Sequence, residues 1–351
     1  MDEKPTLGSL SKPARTSYWF ILLTIVAVAW LRLATPLLAV LFSYFVLTKL
    51  NFARNRWVAV WLFSFVLLGI SYAVANFTRQ TIETMPRIAD TVIPQVLAWA
   101  EEQHLELPFT DYESLKAVLL DTVKDQAHYL GNAVNLAKGA TAEFVFLIIG
   151  CVVAASLFLN SQVDHATHSV KNNVYSLSAQ EIAKRFRGFY RSFVTVMGAQ
   201  IIISAINTGL TSIFVLALRL PHAVVIIGVT FLCGLFPVVG NLMSNTIIVA
   251  ISFTVSPKLA LAALAFLVLI HKLEYFLNSK IIGDRIRNPV WLTLLGLILG
   301  EKLMGIPGMI LAPVILNYLK MEASGIEVPA APAPALPAES PRHPNPPPPD
   351  P

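Results

Sequence analysis

Residues 220–255 read LPHAVVIIGVTFLCGLFPVVGNLMSNTIIVAISFTV. Two apolar arms flank a break at Gly234, Pro237 and Gly240. A helix crosses a bilayer with roughly 20 apolar residues, and two crossings need roughly 40 plus a turn. At about 35 residues this segment is long for one crossing and short for two. Proline removes an amide donor and glycine frees the backbone, so the helix is expected to open at the break. In hydrocarbon, opened backbone survives only where protein or a water-filled cavity covers it. A break at that depth points to a substrate pathway rather than a lipid-facing surface.

The rest of the chain supports a membrane setting. Of its 351 residues, 55% are hydrophobic and 13% charged, about half the charged share of a soluble domain. Mean hydropathy is +0.64. The sequence therefore predicts an all-α polytopic membrane protein. The formal net charge of +5 fits basic cytoplasmic loops and gives no reason to expect a nucleic-acid partner. Cys151 and Cys233 lie in apolar runs and read as small apolar residues, not as a disulfide or a metal pair. The first apolar run leads on into further membrane segments, so no cleavable signal peptide is expected.

The chain divides by composition. Residues 1–17 read as a disordered N-terminus, and 18–78 as the first transmembrane helices. Within the latter, Tyr18–Leu50 holds two apolar runs broken near Arg32 and Pro36, expected to form a tight hairpin. Trp57–Phe77 is a third span. Residues 79–140 carry five Lys/Arg against nine Asp/Glu, with apolar residues at helical spacing (Leu115, Leu119, Val123), and read as an extracytoplasmic amphipathic helical insert. Residues 141–160 form a fourth span and 161–192 a basic cytoplasmic linker. Residues 193–320 form a transport core, and 321–351 a disordered, proline-rich tail. Inside the core, Pro289–Tyr318 is a second apolar stretch interrupted in its middle, at Gly300-Glu301-Lys302 and at Gly305, Pro307 and Gly308.

Basic loops face the cytoplasm. Applying that rule puts both termini inside and the acidic insert outside a plasma (inner) membrane. It then gives two units of one helix plus one hairpin: Phe193–Val255 starting inside, and Lys258–Tyr318 starting outside. Inverted units of this kind build transport sites near the midplane.

Polar groups in membrane segments are candidates for function because they are costly there. Gln200 and Asn207 are seven apart and share a helix face. Asn241 and Asn245 follow the first break, where half-helix ends present unpaired amides and carbonyls to a solute. Glu301 stands at the second interruption. These residues, with Pro237 and Gly240, make up the predicted substrate pathway. His271, Glu274 and Glu301 are the candidates for proton or ion coupling. No metal site and no cofactor are expected. His165 and His168 have a metal-like spacing without a third ligand, and H-E-x-x-H, P-loop and G-x-S-x-G motifs are absent from the sequence. The sequence thus predicts a non-enzyme whose uphill work would draw on an ion gradient.

Ordered motifs add a resemblance. They are Gly198 with Gln200, Phe236-Pro237-Val238-Val239-Gly240, Leu273-Glu274 through Lys280-Ile281-Ile282-Gly283, Asn288-Pro289, and Met304-Gly305-Ile306-Pro307-Gly308 followed by Ala312-Pro313. In them, residues 185–320 resemble the autoinducer-2 exporter family of PerM-like permeases. The resemblance implies about eight transmembrane helices, a homo-oligomer (a pentamer), and transport of a small solute such as an autoinducer-2-like signal. Some members of that family resemble sodium or lithium/proton antiporters, which gives the alternative function. A further alternative is a non-transporting membrane scaffold that recruits partners through the insert and the tail.

Overall fold

The computed structural model describes residues 11–52, 55–102, 133–160, 173–236, 239–277 and 289–326. Over 81–93, 133–142 and a few further positions, including Asn241, the description is of the backbone alone. Every regular element among the described residues is a helix. In chain order they are α1 (Lys12–Trp30), α2 (Ala34–Lys49), α3 (Arg56–Glu102), α4 (Ala133–Asn160), α5 (Val174–Ala217), α6 (Ala223–Gly234), α7 (Val239–Val255), α8 (Pro257–Leu277) and α9 (Val290–Ser324). Among the described residues, five helices are long and apolar enough to cross a membrane. With the shorter apolar helices they make an all-helical polytopic membrane protein.

The helix boundaries depart from the compositional ones. α1 begins at Lys12, inside the stretch expected to be disordered. The Ser11 side chain accepts a hydrogen bond from the Ala14 amide, and Pro13 lies in the first turn, where a missing N–H costs nothing. α3 runs for 47 residues, through the expected junction at 78/79. α5 runs for 44, through the one at 192/193. At 1.5 Å per residue these helices are about 70 and 66 Å long, twice the ~30 Å hydrocarbon thickness. The change from polar to apolar sequence is therefore a change of surroundings along one rod. α9 extends to Ser324, so Glu322 belongs to a helix and not to the disordered tail.

The expected tight hairpin of α1 and α2 does not form. A turn with Arg32 in the left-handed region (φ 54°) joins them, yet each packs mainly elsewhere. α2 lies along α4, where small residues allow close approach. A Cβ at Gly150 would come within 2.5 Å of the Ala39 Cβ and 3.0 Å of the Pro36 carbonyl oxygen. The Ser43 hydroxyl reaches the Cys151 sulfur at 3.4 Å. α1 lies along α5 instead. Both helices gain a better-matched surface than they offer each other.

α5 and the second half of α9 are antiparallel. Arg185 pairs with Glu322, Phe189 packs against Tyr318, and Met197 shares a core cluster with Leu311. This register carries the main core, built around Phe193, Met197, Leu311 and Val314. A second cluster, with Val215, Ile226 and Ile251 at its centre, joins α5 to α6 and α7. A third, around Leu47, Ala59 and Phe158, joins α2 to α3 and α4.

Candidate functional site

Both predicted interruptions fall on sharp features of the backbone. α6 has 12 residues and is about 18 Å long, too short to cross ~30 Å alone. It enters through a turn in which Arg219 and His222 hold positive φ (50° and 58°). It ends at Gly234, and α7 starts at Val239. Pro237 and Val238 lie outside the described residues. Gly240 sits against the Cys233 carbonyl so closely that a Cβ there has no room, and its amide bonds the Phe236 oxygen at 3.3 Å. Only glycine allows that crossing.

The broken end of α6 is held by α5. The Gln200 side-chain amide donates to the Gly234 carbonyl oxygen at 2.6 Å, and the Ser204 hydroxyl donates to the Phe231 carbonyl at 2.7 Å. Both carbonyls belong to the last turn of α6, whose C=O groups have no helical partner. One helical turn separates Gln200 from Ser204, so one face of α5 meets both. A Cβ on Gly234 would come within 2.5 Å of the Ser204 Oγ, so glycine is needed for this approach too. Ser204 was not among the predicted residues. Its spacing of four from Gln200 was the available signal, but a lone serine in an apolar run usually bonds its own helix.

Asn207 continues the same face. It is 1% exposed, and among the described residues neither its Oδ1 nor its Nδ2 finds a hydrogen-bond partner, nor does Thr208 Oγ1 beside it. A buried amide without partners is unfavourable by about 1–3 kcal/mol. Asn245 on α7 is buried as well. The Asn241 side chain lies outside the described residues.

The second interruption is a reversal within α9. Gly305 has φ 66° and ψ −154°, a conformation open to glycine alone. On either side of it the chain doubles back. A Cβ at Gly300 would lie 2.5 Å from the Gly308 carbonyl oxygen, and one at Gly296 would lie 2.8 Å from Leu316. In a straight helix, residues eight apart are about 12 Å distant. Glu301 and Lys302 sit at the tip, exposed and 3.7 Å apart. Pro307 opens the returning arm, where its missing N–H costs little.

The antiparallel register relates the two breaks. Gln200 lies about 22 Å along α5 from Arg185, and Gly308 about 21 Å along α9 from Glu322. Since Arg185 and Glu322 are paired at 2.6 Å, the end of α6 and the tip of α9 reach one level from opposite ends of α5. Of the proposed coupling residues, His271 is exposed and Glu274 buried on α8, and Glu301 belongs to the α9 tip.

A family model for AI-2E family transporters matches residues 18–321. The chain belongs to the AI-2E transporter family. It is a multi-pass membrane protein, and the matched span holds both interruptions, Gln200 and all of the α5–α9 register except its last pair, Arg185–Glu322. The protein is also similar to YdbI of Bacillus subtilis (strain 168), whose name assigns it to transport without giving a substrate. The two are 28% identical over 165 residues, 46% of this chain and 47% of the relative. The match thus spans about half of that relative's length.

Proposed function

We propose that this AI-2E family transporter is a secondary exporter of a small organic solute, an autoinducer-2-like signal being the substrate class to test first. The path runs past the level that the α6 end and the α9 tip both reach. The observation that carries this reading is the Gln200 hydrogen bond to the Gly234 carbonyl. It places an exchangeable side-chain partner on an opened helix end in the interior of an apolar bundle. A solute with hydroxyl or amide donors can take over that carbonyl, and Asn207 offers both a donor and an acceptor about two turns further on. Gly240, Asn241, Asn245, Pro237 and Glu301 complete the path in this reading. His271, Glu274 and Glu301 are the groups for coupling to an ion.

The topology follows from charge. Lys12, Lys49, Arg56, Arg185, Arg187 and Arg191 lie at one end of the bundle, tied together by the Tyr18–Glu322 and Thr48–Tyr190 hydrogen bonds (3.2 and 3.3 Å). That end is cytoplasmic, and the chain works as a homo-oligomer, a pentamer, in the inner membrane.

The test compares small molecules inside and outside cells lacking the protein, expressing it, or expressing Gln200→Ala or Pro237→Ala. Export predicts one organic compound that accumulates in the deletion strain and leaves only with the intact protein. If no compound moves but growth at high sodium or lithium and alkaline pH depends on the chain, an antiporter replaces the exporter. If Gln200→Ala and Pro237→Ala retain full activity while removal of the tail abolishes it, a scaffold does.

A further inference from the structure

The space left between α1 and α2 by the missing hairpin is a cavity of about 770 Å³. α4, α5 and α9 contribute the rest of its lining. Its inner part is aliphatic, with Val28, Leu37, Leu41 and Leu311 in the wall. Its outer part is polar: Thr48 and Asn160 end α2 and α4, and Arg187 and Arg191 stand one turn apart on α5. From Leu37 to Thr48 the wall follows α2 for about 16 Å. A second cavity, of about 880 Å³, begins across the Thr48–Tyr190 hydrogen bond and shares Arg191 with the first.

The arginines of this stretch of α5 are not equivalent. Arg185 is buried, paired with Glu322 at 2.6 Å and Glu181 at 3.4 Å, and stacked on the Tyr18 ring. Arg187 and Arg191 are exposed, line the cavity mouth and have no ion-pair partner among the described residues. They precede the apolar run of α5, at the end of the bundle that the charge reading assigns to the cytoplasm. An apolar void of this size in a membrane helix bundle is poorly hydrated and favours apolar matter. Basic pockets between membrane helices on the cytoplasmic side suit anionic lipid headgroups.

We infer that this wedge is a binding site for an anionic phospholipid of the surrounding bilayer. One acyl chain lies between α1 and α2, and the phosphate sits against Arg187 and Arg191. The site is separate from the Gln200–Gly234 contact. It meets the transport machinery at Met304, which lines the cavity immediately before the Gly305 reversal. Chain occupancy therefore supports the second hairpin from below.

The test is native mass spectrometry of the full-length protein in mild detergent, with phosphatidylglycerol, phosphatidylcholine and oleate as separate probes. The expected result is retention of phosphatidylglycerol about 30-fold above phosphatidylcholine, from two cations near a headgroup. Arg187→Gln with Arg191→Gln removes that preference while leaving weak binding of both lipids. The paired Lys substitutions keep most of it. Val28→Trp, which fills the inner part, lowers retention of both lipids. Equal retention of the two lipids by the unaltered protein overturns the inference. So does arginine-dependent binding of oleate without phosphatidylglycerol, which makes the ligand a free amphiphile. A Val28→Trp protein that folds but loses its oligomeric mass overturns it too, because a second copy then fills the wedge.

Discussion

Gln200 and Asn207 lie on the same face of α5 but predict opposite responses. Gln200 satisfies a carbonyl that the α6 end leaves open. Gln200→Ala is expected to lower stability by about 1 kcal/mol, the scale of a hydrogen bond between membrane helices. It also lowers solute efflux at least tenfold, because the α6 end loses its position. Asn207 satisfies nothing among the described residues. Asn207→Leu is expected to leave stability unchanged or raise it by about 1 kcal/mol, since an unpaired buried amide is removed, while efflux falls. Thermal midpoints in detergent, set beside efflux rates, separate the two. An Asn207→Leu protein that is markedly destabilised and transports normally would show the amide to be structural. Both residues were legible in the sequence as polar groups in an apolar run. That one is bonded and the other is not depends on α6, which no local pattern specifies.

At the scale of elements, glycines decide how closely helices approach. Gly150→Leu inserts a side chain where the Ala39 Cβ and the Pro36 carbonyl already stand. It is expected to cost about 2–3 kcal/mol by overpacking the α2–α4 seam. Gly305→Ala forces a Cβ into a backbone region that L-residues avoid, at about 1–3 kcal/mol. Its effect should fall on the α9 hairpin, and faster hydrogen exchange confined to α9 would report it. Exchange that rises evenly over all helices instead would mean that the reversal is not an independent unit. The two interruptions were visible in the sequence because proline and glycine mark them. The α1–α2 splay was not. Two apolar runs joined by a short turn suggest a hairpin, and only the small-residue seam on α4 and the surface of α5 offer each helix something better.

Across the whole molecule, the Arg185–Glu322 pair sets the α5–α9 register and ties both helices to α1 through Tyr18 and Ser17. Removing one partner leaves the other charged in a largely buried position. Glu322→Gln is expected to lower stability by about 1–3 kcal/mol, less than for a fully buried pair because Glu322 keeps some contact with water. The same register predicts how the hairpins face the membrane. Single cysteines at Asn241 and Glu301 should react with impermeant reagents applied from opposite sides. Reaction of both from one side only would remove the inverted arrangement.

Composition and period alone determined that the chain is an all-helical membrane protein with two interrupted hairpins, because apolar run length, proline and glycine act locally and need no partner. The motifs along residues 185–320 carried the family. Tertiary structure decided what those locally written elements do to each other. It continued α5 through polar sequence, drew Glu322 out of the expected tail into a largely buried ion pair, supplied Ser204 as a second partner for the α6 end, and opened the wedge between α1 and α2. Each of these depends on contacts between residues tens to hundreds of positions apart. Such contacts are set by the competition among helix surfaces for the best-fitting neighbour, which leaves no periodic trace in a single sequence.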